Sequence, residues 1–193
     1  MRPPILLSAL LVGLPLLSCN PDRVQYNDQL KQQMADMKIK RVTNADLTEA
    51  VNSWGEQIVD IAQKEAADKG RSLERTGITK EALCDLSTLR KTQALAKRYG
   101  MSISLLGAAD VKNPHVAQKE REVLDAYLYN AEQKRPQSSN IQRIGDTLFI
   151  YNAVLPADHV FAVTCFADQK PALAVWRLAF PKREVIRHIN AKK

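Results

Sequence analysis

Apolar residues along this chain change spacing part-way through. After Thr43-Asn-Ala-Asp46, which supplies helix-start residues, Leu47, Val51, Trp54, Ile58 and Ile61 recur every three or four positions and predict a helix closing near Gly70. Thr79 is placed to cap a second helix running to Gly100, with Ala82, Leu86, Leu89 and Ala96 on one face and Cys84 and Leu95 nearly opposite. From Met101 to Leu105 the alternation has period two and reads as a strand. Asn113-Pro114 opens a further predicted helix whose inner face is mapped by Val116, Glu120, Val123, Leu124, Tyr127, Leu128 and Ala131, and residues 133–140 form a polar loop. Four extended segments follow: Ile141 to Ile144, Thr147 to Leu155 after a Gly145-Asp146 hairpin turn, Val160 to Phe166, and Ala172 to Phe180. Pro181 ends the last of them, and Arg183 to Asn190 reads as a terminal helix. Helices first and an antiparallel sheet afterwards predict an α+β domain over residues 43–193, N-terminal helices packed on a small sheet.

The first 18 residues follow neither period. Arg2 precedes an uncharged apolar run from Ile5 to Leu17, the n-region and h-region of a secretory signal. Thirteen residues as a helix cover about 20 Å, short of the roughly 30 Å hydrocarbon core, and Pro15 interrupts them. Leu16-Leu17-Ser18-Cys19 resembles the lipobox of bacterial lipoproteins, whose cysteine takes a diacylglyceryl group before cleavage. The expectation is a signal peptide over 1–18 and a mature protein anchored at Cys19 by acyl chains such as palmitate, each buried methylene contributing about 0.8 kcal/mol. The alternative is an ordinary signal peptide with a chance cysteine. Residues 19–42 read as the lipidated tether with a short helix marked by Leu30, Met34 and Met37.

Removal of the leader leaves 27 of the 28 basic residues and all 21 acidic ones, a formal charge of +6. The basic residues are dispersed, with modest clusters at Lys38, Lys40 and Arg41 and at Lys182, Arg183, Arg187, Lys192 and Lys193, so no nucleic-acid groove is indicated. A solvated basic surface is the ordinary reading, and attraction to lipid headgroups the second. With Cys19 lipidated, only Cys84 and Cys165 remain of the three cysteines. An exported compartment permits them to pair, two separate buried thiols being the alternative.

No glycine-rich phosphate loop or GxSxG elbow is present. His115, His159 and His188 stand apart from one another and outside any metal-ligand spacing, which favours structural or surface roles. Asp46, Glu49, Asp60 and Glu65 have lysines nearby and read as a solvated helix face. No nucleophile and base are recognisable, so a non-enzyme is expected.

Three local features resemble a family of exported bacterial domains of PAS-like fold that bind one c-type haem and are regarded as sensors. Glu81-Ala-Leu-Cys84 fits that family's helical cysteine motif, Lys112-Asn113-Pro114 its RNP motif, and Glu122-Val-Leu124 the E-x-L that follows. The family's haem-attaching CxxCH falls, after Tyr151 to Pro156, on Ala162-Val-Thr-Cys165-Phe166, with the first cysteine and the histidine replaced. The resemblance covers about residues 45 to 180 and implies a PAS-like sensory or binding domain without haem c, since one thioether and the imidazole ligand are missing. It places Cys84 and Cys165 across a vacated pocket, positioned to bond, and offers Cys84, Asn113, Pro114, Tyr151, Cys165 and Phe166 as the pocket residues. The implied partners are membrane lipid through Cys19 and either a separate protein or a small molecule, without metal or other cofactor. A redox or haem-binding protein using Cys84 and Cys165 is the first alternative, an enzyme of unrecognised type the second.

Overall fold

The computed structural model describes residues 42–77 and 79–191. The expected signal peptide, Cys19 and the short helix of the tether lie outside the described residues. Within them the domain is α+β: helices α1 (Asn44–Thr76), α2 (Lys80–Cys84) and α3 (Arg90–Tyr99) precede strand β1 (Ser102–Gly107). A 3₁₀ turn (Ala108–Lys112) and α4 (Gln118–Glu132) lead to β2 (Asn140–Ile144) and β3 (Leu148–Val154), then α5 (Val160–Cys165), β4 (Ala174–Pro181) and α6 (Lys182–Ala191). The sheet is antiparallel with order β1-β4-β3-β2. No helix among the described residues is long and apolar enough to cross a membrane.

Alternation along the strands divides the apolar side chains between two faces. Trp176, Leu178 and Phe180 of β4, with Phe149, Tyr151 and Ala153 of β3, pack into a core shared with α1, α2, α3, α5 and α6. On the other face Leu106 and Val175 meet Val116, Leu124 and Tyr127, so α4 and the turn before it form the second cover.

Helix α1 starts where the sequence indicates. Thr43 and Asp46 form a reciprocal capping box, the Thr43 backbone amide donating to Asp46 Oδ2 at 2.8 Å and the Asp46 amide to Thr43 Oγ1 at 3.2 Å. It does not stop at Gly70 but continues to Thr76 and closes on Gly77 in the left-handed region, φ 64°. Gly70 is there for space: a Cβ on it would lie 2.6 Å from Val160 Cγ2, so α5 crosses the helix backbone at this point.

Three further expectations are corrected. The helix predicted from Thr79 to Gly100 is two helices, because Asp85 and Ser87 satisfy the backbone locally: Asp85 Oδ1 accepts from the Ser87 amide and Ser87 Oγ donates to the Ala82 carbonyl. Leu86 then turns at φ 65°, a strained conformation held while Leu83, Leu86 and Leu89 all bury. The helix expected at Asn113-Pro114 begins at Gln118, since Asn113 Oδ1 accepts from the His115 amide in an Asx turn and the chain makes one bend more. The extended segment expected over Val160 to Phe166 is helix α5, its first turn capped by His159 Nδ1, which accepts from the Phe161 amide at 3.3 Å. Burial of Phe161 edge-on against Trp176, centroids 5.2 Å apart, and of Ala162 outweighs the strand preference of Val160 and Val163.

Glu65 is likewise not part of a solvated face. It is 9 % exposed and accepts from the backbone amides of Lys91 and Thr92, both at 2.9 Å, and from Thr92 Oγ1 at 2.8 Å. Leu89 has no side-chain cap to offer α3, and a carboxylate from α1 fills the role with the charge that the helix N-terminus favours. Replacing Glu65 with Ala is expected to lower stability by about 2 kcal/mol. The change should appear as a lower urea midpoint at unchanged m-value, and a parental midpoint would mean that the cap contributes nothing.

Candidate functional site

None of the six residues expected to line a pocket lines either of the open grooves described below. Cys84, the last residue of α2, and Cys165, the last of α5, are joined by a disulfide, with Cα atoms 5.7 Å apart and a separation of 81 positions in sequence. Phe166 follows directly and its ring lies against β1: a Cβ on Gly107 would be 2.5 Å from Phe166 Cδ1. Asn113 reaches this region only through Asp110, whose carboxylate accepts from the Gly107 amide at 2.8 Å and from Asn113 Nδ2 at 3.0 Å. Pro114 is exposed in the turn before α4. Tyr151 lies apart, in the middle of β3, with its ring on the α1 backbone at Gly55, where a Cβ would approach within 2.5 Å. Cys84, Cys165, Phe166 and Asn113 thus form a chain of contacts linking α2, α5, β1 and the turn before α4.

A second polar region lies on the sheet face beneath α4, and no sequence motif marks it. Arg177 stands opposite Asn152, and Asn152 opposite Asn140, in one row across β4, β3 and β2. Glu120 descends from α4 and is gripped at both oxygens, accepting from Arg177 Nε at 2.6 Å and from an Arg177 terminal nitrogen at 3.2 Å. The Glu120 side chain is 3 % exposed and that of Arg177 22 %. Asn152 is 1 % exposed, and neither of its amide atoms has a hydrogen-bond partner among the described residues. The Asn140 and Gln142 side-chain oxygens in the neighbouring strand are also unpartnered. Tyr127 closes one side, its hydroxyl donating to the Ser138 carbonyl at 2.9 Å, and burial pushes the phenol up to about 12. The placement of Glu120 on the inner face was legible from helical spacing. The presence of Arg177 opposite it depends on strand register.

The histidines take structural places. His115 is exposed. His159 caps α5, and burial pushes its imidazole below the usual histidine value. His188 packs edge-on against Trp54 and tilted against Tyr99, with centroids 6.0 and 5.2 Å away. Among the described residues no group of histidines, cysteines and carboxylates could hold a metal. Two open grooves of about 560 and 600 Å³ lie elsewhere, one between α1 and α3 lined by Ile61, Leu95, Lys91 and Arg98, the other beside the β2–β3 turn. No family model matches the sequence, and no curated protein or solved structure matches it.

Two outcomes test these assignments. Replacing Cys84 and Cys165 together with Ala removes a cross-link closing about 80 residues, worth roughly 4 kcal/mol in the chain-entropy model, so the urea midpoint should fall well below the parental one. Asn152→Leu replaces two buried unpartnered polar atoms by a side chain of similar size and should raise stability by about 1 kcal/mol. A loss of stability in that variant would show that the amide is already satisfied in the folded protein.

Proposed function

We propose that the chain is an exported lipoprotein, anchored to a bacterial membrane through Cys19, whose α+β domain is a PAS-like binding or sensory module facing the periplasm. The observation that carries this reading is the pairing of Cys84 with Cys165. Stable protein disulfides belong to oxidising compartments, where the apolar run from Ile5 to Leu17 would deliver the chain. The bond also accounts for the cysteine count. Two of three sulfurs are held by each other, and the third stands where a lipobox requires one.

Binding is favoured over catalysis by the use already made of the buried ionisable groups. Glu65 caps α3 and Glu120 holds Arg177, whereas a general acid or base must remain free to exchange protons with a substrate. A ligand would meet the unpartnered Asn152 amide and Asn140 side-chain oxygen beneath α4, buried atoms with hydrogen bonds to gain. Neither cysteine sulfur is a thiolate while the bond is intact, so covalent haem attachment through Cys165 does not fit this state. A sensory module of this kind passes a signal by binding a separate protein with different affinity in its two states.

Cys19→Ser tests the anchor. Expressed in a bacterial host, the parent should fractionate with membranes and carry a mass increment for acyl chains. The variant should lack the increment and appear in the soluble periplasmic fraction. Retention of Cys19→Ser in the membrane fraction at parental levels would remove the lipoprotein reading.

A further inference from the structure

We infer that the end of the domain carrying Arg143, Arg183 and Arg187 docks on an anionic lipid surface, with phosphate headgroups as its partner, an inference that rests on the membrane-tethered reading above. The β2–β3 turn, the last residues of β4 and the first turn of α6 meet at this end around an open groove of about 600 Å³, where apolar Leu148, Pro181 and Ile186 lie beside Lys182 and Arg183. Arg143 is exposed, and the side chains of Arg183 and Arg187 are 87 % and 65 % exposed. Four basic groups (Arg143, Lys182, Arg183 and Arg187) face two acidic ones: Asp146, 2.9 Å from Lys182 Nζ, and Glu184, which Arg183 and Arg187 share. The local balance is therefore +2. The last turn of α3, with Lys97 and Arg98, arrives at the same end, since Gly100 abuts Glu184.

The first turn of α6 makes the charge more informative. Lys182 and Arg183 sit at a helix N-terminus, where aligned peptide dipoles disfavour cations. An external anion would offset that cost.

The path of α1 places Val42, its N-terminal approach, at this end. Trp54 packs against Phe180 at the close of β4, while Gly70 meets Val160, beyond the far end of β3. Reading back from Trp54 to Thr43 extends the helix by 11 residues, or about 16 Å, toward the end of the sheet that bears the basic groups. The described domain therefore begins at Val42 on the side where Arg143 and Arg183 are presented. A surface that combines exposed cations with a shallow apolar groove matches the phosphates and the upper acyl region of a bilayer.

The test uses the full chain carrying Cys19→Ser, so that covalent lipid contributes nothing, mixed at low salt with phosphatidylcholine vesicles with and without phosphatidylglycerol. Attachment to the neutral vesicles measures apolar contact alone. The phosphatidylglycerol vesicles should bind more tightly, with an excess that declines as salt is raised. Each basic group near such a surface is worth about fivefold, so Arg183→Gln with Arg187→Gln should reduce the excess by about twentyfold while leaving binding to neutral vesicles and the circular dichroism spectrum unchanged. Lys119→Gln with Lys134→Gln, the same change of charge on and just after α4, should preserve the excess. Equal binding to the two kinds of vesicle overturns the inference, as does an equal loss in both double variants, which would reduce the effect to net charge. Because covalent lipid is absent throughout, these outcomes are independent of whether Cys19 anchors the protein in cells.

Discussion

Strand β4 is enclosed on both edges and both faces, and the rest of the domain is arranged to keep it dry. It pairs with β1 on one side and β3 on the other. From Ala174 to Phe180 every residue except Arg177 is buried. Such a strand cannot leave one face to water as a two-layer antiparallel sheet does. Both covers are therefore obligatory: α1 with the short helices over Trp176, Leu178 and Phe180, and α4 over Val175. Arg177, the one polar side chain that must be accommodated, dictates the buried Glu120 on α4, because an unpaired guanidinium beneath a helix would cost several kcal/mol.

The two covers are held by different means. The α1 side has 23 buried apolar residues in one cluster, the aromatic contacts of Trp54 and Trp176, and the Cys84–Cys165 bond between the two shortest helices. Helices of five and six residues are too short to persist alone. The cross-link fixes their C-terminal ends to each other, while Leu83 and Phe161 hold them to the core. It thereby supplies locally what neither segment obtains from its own hydrogen bonds.

The long amphipathic helix, the β2–β3 hairpin at Gly145 and the terminal helix were legible because each is specified by a local pattern: a 3.6 period with a capping box, alternation around a turn dipeptide, a proline boundary. Some of what sequence misplaced turned on local side-chain bonds, at Ser87 and Asn113, and the rest on contacts between distant segments. Val160 to Cys165 carries strand formers but buries Phe161 against Trp176 from a helix, and Gly70 looks like a stop while making room for Val160. At the site level the cysteine pair was legible from parity and compartment. The contacts of Tyr151 with Gly55 and of Asn113 with Asp110 carry no such signal. Glu65 and Arg177 carry no local signature of their roles. A carboxylate among lysines on a helix reads as solvated until the N-terminus of a second helix is brought against it, and an arginine in a strand reads as exposed until register sets it under Glu120.

The unequal strength of the two covers bears on where this domain can respond to anything. Among the described residues the α4 side has six buried apolar side chains in its cluster, against 23 on the other. The polar contacts that hold it, Glu120 with Arg177 and Tyr127 with the Ser138 carbonyl, are ones that water or a ligand can replace. Elements with fewer buried apolar contacts open at lower free-energy cost. The unpartnered Asn152 amide and Asn140 side-chain oxygen lie under that weaker cover, so a group satisfying them would gain hydrogen bonds while displacing the cheaper of the two layers. On the opposite side a comparable displacement would have to expose Trp176 and Phe180 and work against a covalent bond. Any coupling between a bound group and a change of shape in this fold is therefore concentrated at α4, leaving α1 and the core beneath it as the rigid part of the domain.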